Sequence, residues 1–221
     1  WQRIGVEFDG IYSGYLASPK QERILEGIVD RIAGKNTLVI TDPAMADNGK
    51  YYSGFDDEMC DAFVRLCKRS DIITPNITEA ALLGGLTYRK PPHDEKYVNL
   101  LFLVLFGFGV KTIAITGIHH SETEVGIVVK DTECGITYEE FRSSRPGNFY
   151  GVGDIFASAF SALLVRGASV ADALKAAGLL LNESIERSFS RNSPRRFGVD
   201  FERALPNYIN HVEELFSSRL S

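Results

Sequence analysis

Apolar positions along the chain follow two periods in turn. Ile24, Ile28 and Ile32 recur at four-residue spacing behind Ser18-Pro19-Lys20-Gln21, which offers an N-cap serine, a proline at the first helical position and a glutamine placed for a capping box. The spacing predicts an amphipathic helix that stops at Gly34. Thr37 to Thr41 then reads as a short buried strand closed by Asp42-Pro43, and Met45 to Gly54 as a polar, glycine-containing loop. The rhythm repeats with a helix from about Asp56 to Arg69, a strand from Asp71 to Thr74, a short helix from Thr78 to Leu83, a longer one from Asp94 to Phe106, and a strand from Lys111 to Thr116. Val125 to Lys130 and Gly135 to Phe141 predict a hairpin. Helices close the chain at Asp154 to Arg166, Ser169 to Arg187 with Ser169 and Asp172 as a capping box, and Phe201 to Phe216.

Alternating strands and helices predict an α/β fold with a largely parallel sheet covered on both faces, in which ligands bind at the carboxyl ends of the strands. Ser13-Gly14-Tyr15, Asp42-Pro43, Thr74-Pro75-Asn76, Thr116-Gly117 and the turn at Gly151 each follow an apolar run, so all five are candidates for one edge. No internal repeat or flexible linker interrupts the pattern, and residues 1–221 are expected to form a single domain.

The 44% apolar and 24% charged content suits an ordinary globular core. A net charge of −5 without a Lys/Arg block argues against nucleic acid or an anionic membrane as partner. The apolar run from Leu100 to Gly109 is too short to cross a bilayer, and no signal peptide is visible. Cys60, Cys67 and Cys134 form no CxxC pair and read as core residues of a reduced, cytoplasmic protein. The chain begins at Trp1 with no initiator methionine, so a segment upstream is expected.

Gly151-Val152-Gly153-Asp154, ahead of an apolar helical run, carries the most chemistry. Glycines allow a tight turn, the first helical N–H groups and the helix dipole favour a phosphate, and the carboxylate can take a proton from a hydroxyl. Phosphoryl transfer to an alcohol fits; a bare helix start is the plain alternative. Asn76 and Glu79, one helical turn apart after a strand, can hold hydrated Mg²⁺ against nucleotide phosphates, or Thr78 caps the helix and Glu79 serves its dipole. Asp42 is a turn former or a second carboxylate near the metal. Tyr15 covers a flat heteroaromatic substrate or packs at the sheet edge. His93, His119, His120 and His211 lack zinc spacing, no P-loop or protein-kinase motif occurs, and Phe156 stands where a dinucleotide fingerprint needs its third glycine.

Taken in order, Ile11-Tyr12-Ser13-Gly14-Tyr15-Leu16, Thr41-Asp42-Pro43-Ala44-Met45, Asp71 to Glu79 and Gly151 to Asp154 resemble the pyridoxal/pyridoxamine kinases of the ribokinase-like superfamily across nearly the whole chain. The resemblance implies a three-layer α/β/α ribokinase-like fold and ATP-dependent phosphorylation of the 5′-hydroxymethyl group of a B6 vitamer, in the cytoplasm. Asp154 would be the base, also touching the substrate, and the N–H groups of Gly151, Val152 and Gly153 would stabilise the moving phosphoryl group, with Mg²⁺ bridging the β- and γ-phosphates. Asp42 and Glu79 match acids near metal and phosphates, Thr74 and Thr116 match strand ends lining the nucleotide site, and Tyr15 matches the tyrosine on the pyridine ring. A homodimer and a monovalent cation are further expectations from the family.

The family carries a segment ahead of the S-G-Y run, with its first strand, substrate-ring contacts and part of a lid, that this chain lacks; the N-terminal part is therefore expected to be missing. Three rivals remain: another superfamily kinase acting on hydroxymethylpyrimidine or a sugar, a non-catalytic nucleotide-binding protein, and, more distantly, a dehydrogenase.

Overall fold

Strands form where β-branched residues cluster, and five of the described helices start where a side chain caps the first turn. The computed structural model describes residues 1–133, 135–147, 149–191 and 198–217. Cys134, grouped above with the core cysteines, lies outside the described residues. The chain divides into two compact units, Trp1–Glu139 and Glu140–Ser221.

In the first unit, β1 (Gly10–Ser13), β2 (Leu38–Thr41), β5 (Ile72–Ile73) and β6 (Thr112–Ser121) lie side by side and parallel, in that order. β7 (Glu124–Asp131) pairs antiparallel with β6, and β8 (Thr137–Ser143), the strand in which one unit passes into the next, ends the order. The expected hairpin partner of β7 is thus next to it, while its other edge is taken by β6. α1 (Pro19–Ile32), α2 (Asp57–Cys67), α3 (Ile77–Leu83) and α4 (Glu95–Phe106) complete the unit. Ile40, Ile73 and Ile113 of the sheet, Phe63 and Leu66 of α2, and Leu101 and Leu105 of α4 are fully buried. Their removal from water supplies the main driving force. Cys60 and Cys67, both on α2, are buried free thiols.

The face that α1 buries departs from its isoleucine spacing. Glu22 is fully buried and accepts a 2.8 Å bond from Arg65 of α2, with Val29 two turns further on the same stripe. Ile24, two residues from Glu22, is about 200° round the helix and 54% exposed. Ser18 caps the helix as expected, but Gln21 Oε1 accepts from Ala17 N–H at 2.7 Å, one residue before the cap.

Two further differences arise from turns. The segment expected as a loop after Met45 contains a small antiparallel hairpin, β3 (Ala46–Asp47) and β4 (Lys50–Tyr51), and Met45 itself is fully buried. Gly49 at its tip has φ +75, and a Cβ there would fall 2.5 Å from the Tyr88 ring. β6 does not end at Thr116; it continues through a register shift between Ile115 and Ile118, where Gly117 takes φ +71. Thr116-Gly117 is therefore a bulge inside a strand.

The second unit holds α5 (Val152–Val165), α6 (Val170–Ser190) and α7 (Leu205–Ser217). Phe156 and Phe160 stack at 5.3 Å within α5, and alanines 173, 176 and 177 are buried on α6, small enough for close helix packing. Ser169 accepts from Asp172 N–H at 3.1 Å and donates its hydroxyl to Asp172 Oδ2 at 2.7 Å, so the reciprocal bond of the expected box runs between side chains. α7 starts later than the pattern suggested because residues 201–204 form a turn, with Ala204 N–H donating to Phe201 O. Among the described residues no helix is long and apolar enough to cross a membrane.

His93 links the segment before α4 to β6. Arg89 O can only accept and His119 N–H can only donate, so the 3.1 Å contact at Nε2 and the 3.0 Å contact at Nδ1 require the neutral Nε2–H tautomer. Burial lowers its pKa, and the neighbouring His119 and His120 act in the same direction against the Arg89 carbonyl. An unfolded histidine titrates near 6.5, so the unfolded chain takes up this proton first and stability falls as pH drops below that value. Urea unfolding between pH 7 and pH 5 should show a declining free energy whose slope shrinks in His93→Gln; an unchanged slope in the variant contradicts this role.

Candidate active site

The carboxyl ends of the parallel strands are tied together by backbone bonds just beyond the regular pairing. Asp42 N–H donates to Ser13 O at 2.8 Å, Thr74 N–H to Thr41 O at 3.1 Å, and Thr116 N–H to Pro75 O at 3.0 Å. Asp42, Thr74 and Asn76 thereby line one edge of the first unit, with Thr116 bridged to Asn76 despite lying inside β6. A hydroxyl chain stiffens the same ends from below: Ser13 Oγ lies 3.1 Å from Thr41 Oγ1, which lies 2.8 Å from Ser70 Oγ.

Glu79 is the most constrained group on this edge. It is 2% exposed, and its Oε1 accepts from Met45 N–H (3.1 Å) and Ala46 N–H (3.4 Å) while Oε2 accepts from Asn76 N–H (2.8 Å). Burial pushes its carboxyl well above the usual carboxylate range, and the charge of Asp42 pushes the same way against the three amide bonds. Asp42 is also buried and accepts from the Tyr12 hydroxyl at 3.3 Å. Thr74 Oγ1 is buried with no partner among the described residues.

Asn76 corrects one expectation. Its Oδ1 accepts from Thr78 and Glu79 N–H at 2.8 and 2.9 Å and its Nδ2 donates to Ala46 O at 2.7 Å, so the amide caps α3 instead of presenting a free oxygen to a metal. Nor does Thr78 cap the helix: its Oγ1 accepts from Gly49 N–H at 3.0 Å. Among the described residues no three His, Cys, Asp or Glu groups could enclose a metal ion. The two buried acids Asp42 and Glu79 nevertheless suit Mg²⁺, which keeps its waters and takes one or two carboxylates together with phosphates. Tyr15 follows β1 with its ring 61% exposed and stacked on Phe55 at 5.4 Å.

In the second unit Gly151 is the N-cap of α5 in the left-handed conformation (φ +81, ψ 0), and no side chain caps the helix. Val152, Gly153 and Asp154 are its first three residues, so the acid belongs to the first turn and not to the cap. Among the described residues, the N–H groups of Gly151, Val152 and Gly153 have no recorded acceptor. A Cβ on Gly153 would meet nothing within 4 Å. Asp154 is exposed, and it lines a mostly apolar cavity of about 520 Å³ with Ile155, Ser158, Leu180 and Val199. Helix-start amides that have no acceptor among the described residues can bind an anion, and an exposed carboxylate in the same turn can accept a proton.

Sequence reasoning missed Tyr12 as a partner of Asp42, the Met45 and Ala46 amides as partners of Glu79, and Phe55. A signal existed only for Phe55, which follows the turn-forming Gly54.

The chain matches the phosphomethylpyrimidine kinase family over residues 6–196, and it belongs to that family. A Bacteroides thetaiotaomicron protein described as a phosphomethylpyrimidine kinase and crystallised with pyridoxal superposes with a TM-score of 0.87 at 30% identity, covering 94% of this chain and 73% of that one. Pyridoxal kinase from Lactobacillus plantarum gives a TM-score of 0.82 at 27% identity, with coverage of 97% and 75%. Pyridoxine kinase from Bacillus subtilis is 26% identical over 85% of this chain and 68% of its own length. The chain spans about half the length of curated relatives from Saccharomyces cerevisiae (50%) and Caenorhabditis elegans (46%). The α/β fold with its mostly parallel sheet is the ribokinase-like fold of these two structures, the Lactobacillus plantarum pyridoxal kinase among them.

Removing the Glu79 carboxylate orphans three amides at once. Glu79→Ala should lower the free energy of unfolding by about 3 kcal/mol or more, read by urea titration at neutral pH. A loss within about 0.5 kcal/mol, the range of an ordinary surface change, contradicts the placement of this side chain.

Proposed function

We propose that this chain phosphorylates the 5′-hydroxymethyl group of pyridoxal, pyridoxamine or pyridoxine at the expense of ATP, acting as a single kinase domain in the cytoplasm and as a homodimer. The observation that carries this is the start of α5, where three N–H groups with no acceptor among the described residues accompany an exposed carboxylate in the first helical turn. Likeness to a structure crystallised with pyridoxal and to pyridoxal and pyridoxine kinases supports the choice of acceptor.

In this reaction the vitamer's hydroxyl oxygen forms a bond to the γ-phosphorus, the bond from that phosphorus to the β,γ-bridging oxygen breaks, and ADP leaves. Asp154 takes the hydroxyl proton as the oxygen becomes nucleophilic. The amides of Gly151, Val152 and Gly153 stabilise charge on the transferring group without reorganising, since a helix start is already oriented. Mg²⁺, when bound, neutralises phosphate charge. Asp42 and Glu79 are the groups to hold it through water, and Thr74 and Thr116 are assigned to the nucleotide. The buried, unpartnered hydroxyl of Thr74 is the structural feature behind its assignment. A monovalent cation is a further expectation. Tyr15 contributes an exposed ring for the pyridine.

A hydroxymethylpyrimidine substrate is the second reading, favoured by the family's own designation. Both acceptors carry a primary alcohol on a flat ring, so the phosphate pocket does not separate them. An ADP-release assay across the three vitamers, hydroxymethylpyrimidine and ribose does, and the vitamers should turn over best. Asp154→Asn should lower that turnover at least about 10²-fold with ATP affinity retained. Exclusive use of the pyrimidine overturns the choice of substrate, and full activity in the variant overturns the base.

A further inference from the structure

The exposed ring of Tyr15 is not free to turn. Its neighbour Phe55 is stacked on it, with centroids 5.4 Å apart and 22° between planes, and the Tyr52 ring is tilted against Phe55 at 6.2 Å. Phe55 is itself fixed from both sides. Before it, Gly54 takes φ +86 with no atom near its missing Cβ, and Phe55 N–H closes a turn on Tyr52 O at 3.0 Å. After it, Asp56 caps α2 by accepting from Glu58 and Met59 N–H at 3.0 and 3.4 Å. The position ahead of an N-cap commonly serves a hydrophobic staple to the residue four into the helix; here its ring is spent on Tyr15.

An exposed tyrosine immobilised on binding forfeits rotamer freedom, and an aromatic backing removes that loss beforehand. The offset stack also covers one face of the Tyr15 ring and leaves its edge and hydroxyl open, with no hydrogen bond to that hydroxyl among the described residues. Accordingly, we propose that Phe55 is a positioning residue: it presets Tyr15 as a rigid wall against a flat heteroaromatic acceptor, and so sets acceptor affinity without touching the reacting atoms. This rests on the kinase function proposed above.

The test is a double-mutant cycle on the whole protein, with KM and kcat measured separately for pyridoxal and ATP. Phe55→Ala should raise KM for pyridoxal about 3- to 10-fold, with kcat within about twofold and KM for ATP unmoved, and Phe55→Tyr should restore it. In a Tyr15→Ala background Phe55→Ala should have no further effect on KM, because the residue acts through Tyr15. Equal rises for both substrates, or additive effects in the double variant, overturn the positioning role and leave the function standing. No phosphorylation of any vitamer by the parent protein overturns the function and this role together. Should Phe55→Ala prove unstable, Phe55→Leu keeps bulk while losing the stacked face, and a normal pyridoxal KM there refutes the proposal.

Discussion

A buried carboxylate organises the sheet edge of the first unit. Glu79 stands in the first turn of α3 and gathers three backbone amides from two separate segments, the chain after β2 and the residue that caps its own helix. Burying a carboxyl group is costly unless hydrogen bonds replace its water, and these three do so. The same turn adds Thr78 on Gly49 and Asn76 on Ala46, so the small hairpin after β2 hangs from α3. With the hairpin fixed, Asp42 is held near a second acid, and burial, with the charge of Asp42 acting the same way, raises the Glu79 carboxyl.

Among its described residues the second unit does the opposite at the start of α5, leaving backbone N–H groups without acceptors. Gly151 alone supplies the left-handed turn, no side chain spends the first amides, and the space over Gly153 is vacant. Natural helices are usually capped by Ser, Thr, Asp or Asn at this place. An uncapped start therefore forgoes stability of the kind that α1, α2, α3, α4 and α6 each secure with a side chain. In the proposed reaction a ligand with negative oxygens would recover it, with Asp154 as the proton acceptor.

Much of this was legible in the sequence, because capping residues, β-branched runs and glycine turns act locally. The order of strands and helices, the caps at Ser18 and Ser169, and the first-turn place of Asp154 followed from neighbours in the chain. What escaped depended on distant partners. Ile24 looks like core until Arg65 draws Glu22 inward, and Asn76 looks like a metal ligand until Nδ2 donates to Ala46 O and Oδ1 is left accepting from the first amides of α3. Thr116 looks like a strand end because Gly117 follows it, yet β7 carries the pairing past the bulge. The hydrogen bond from Tyr12 to Asp42 leaves no period in the sequence, and Phe55 is marked only by the turn at Gly54.

In the proposed reaction the α5 start holds phosphate oxygens through its backbone. Amide proton shifts recorded during titration with a non-hydrolysable ATP analogue read this contact at each residue. Saturable downfield movement of the Gly151, Val152 and Gly153 amides is expected, as for N–H groups that gain a charged acceptor. Binding that shifts resonances elsewhere while these three stay still would contradict it.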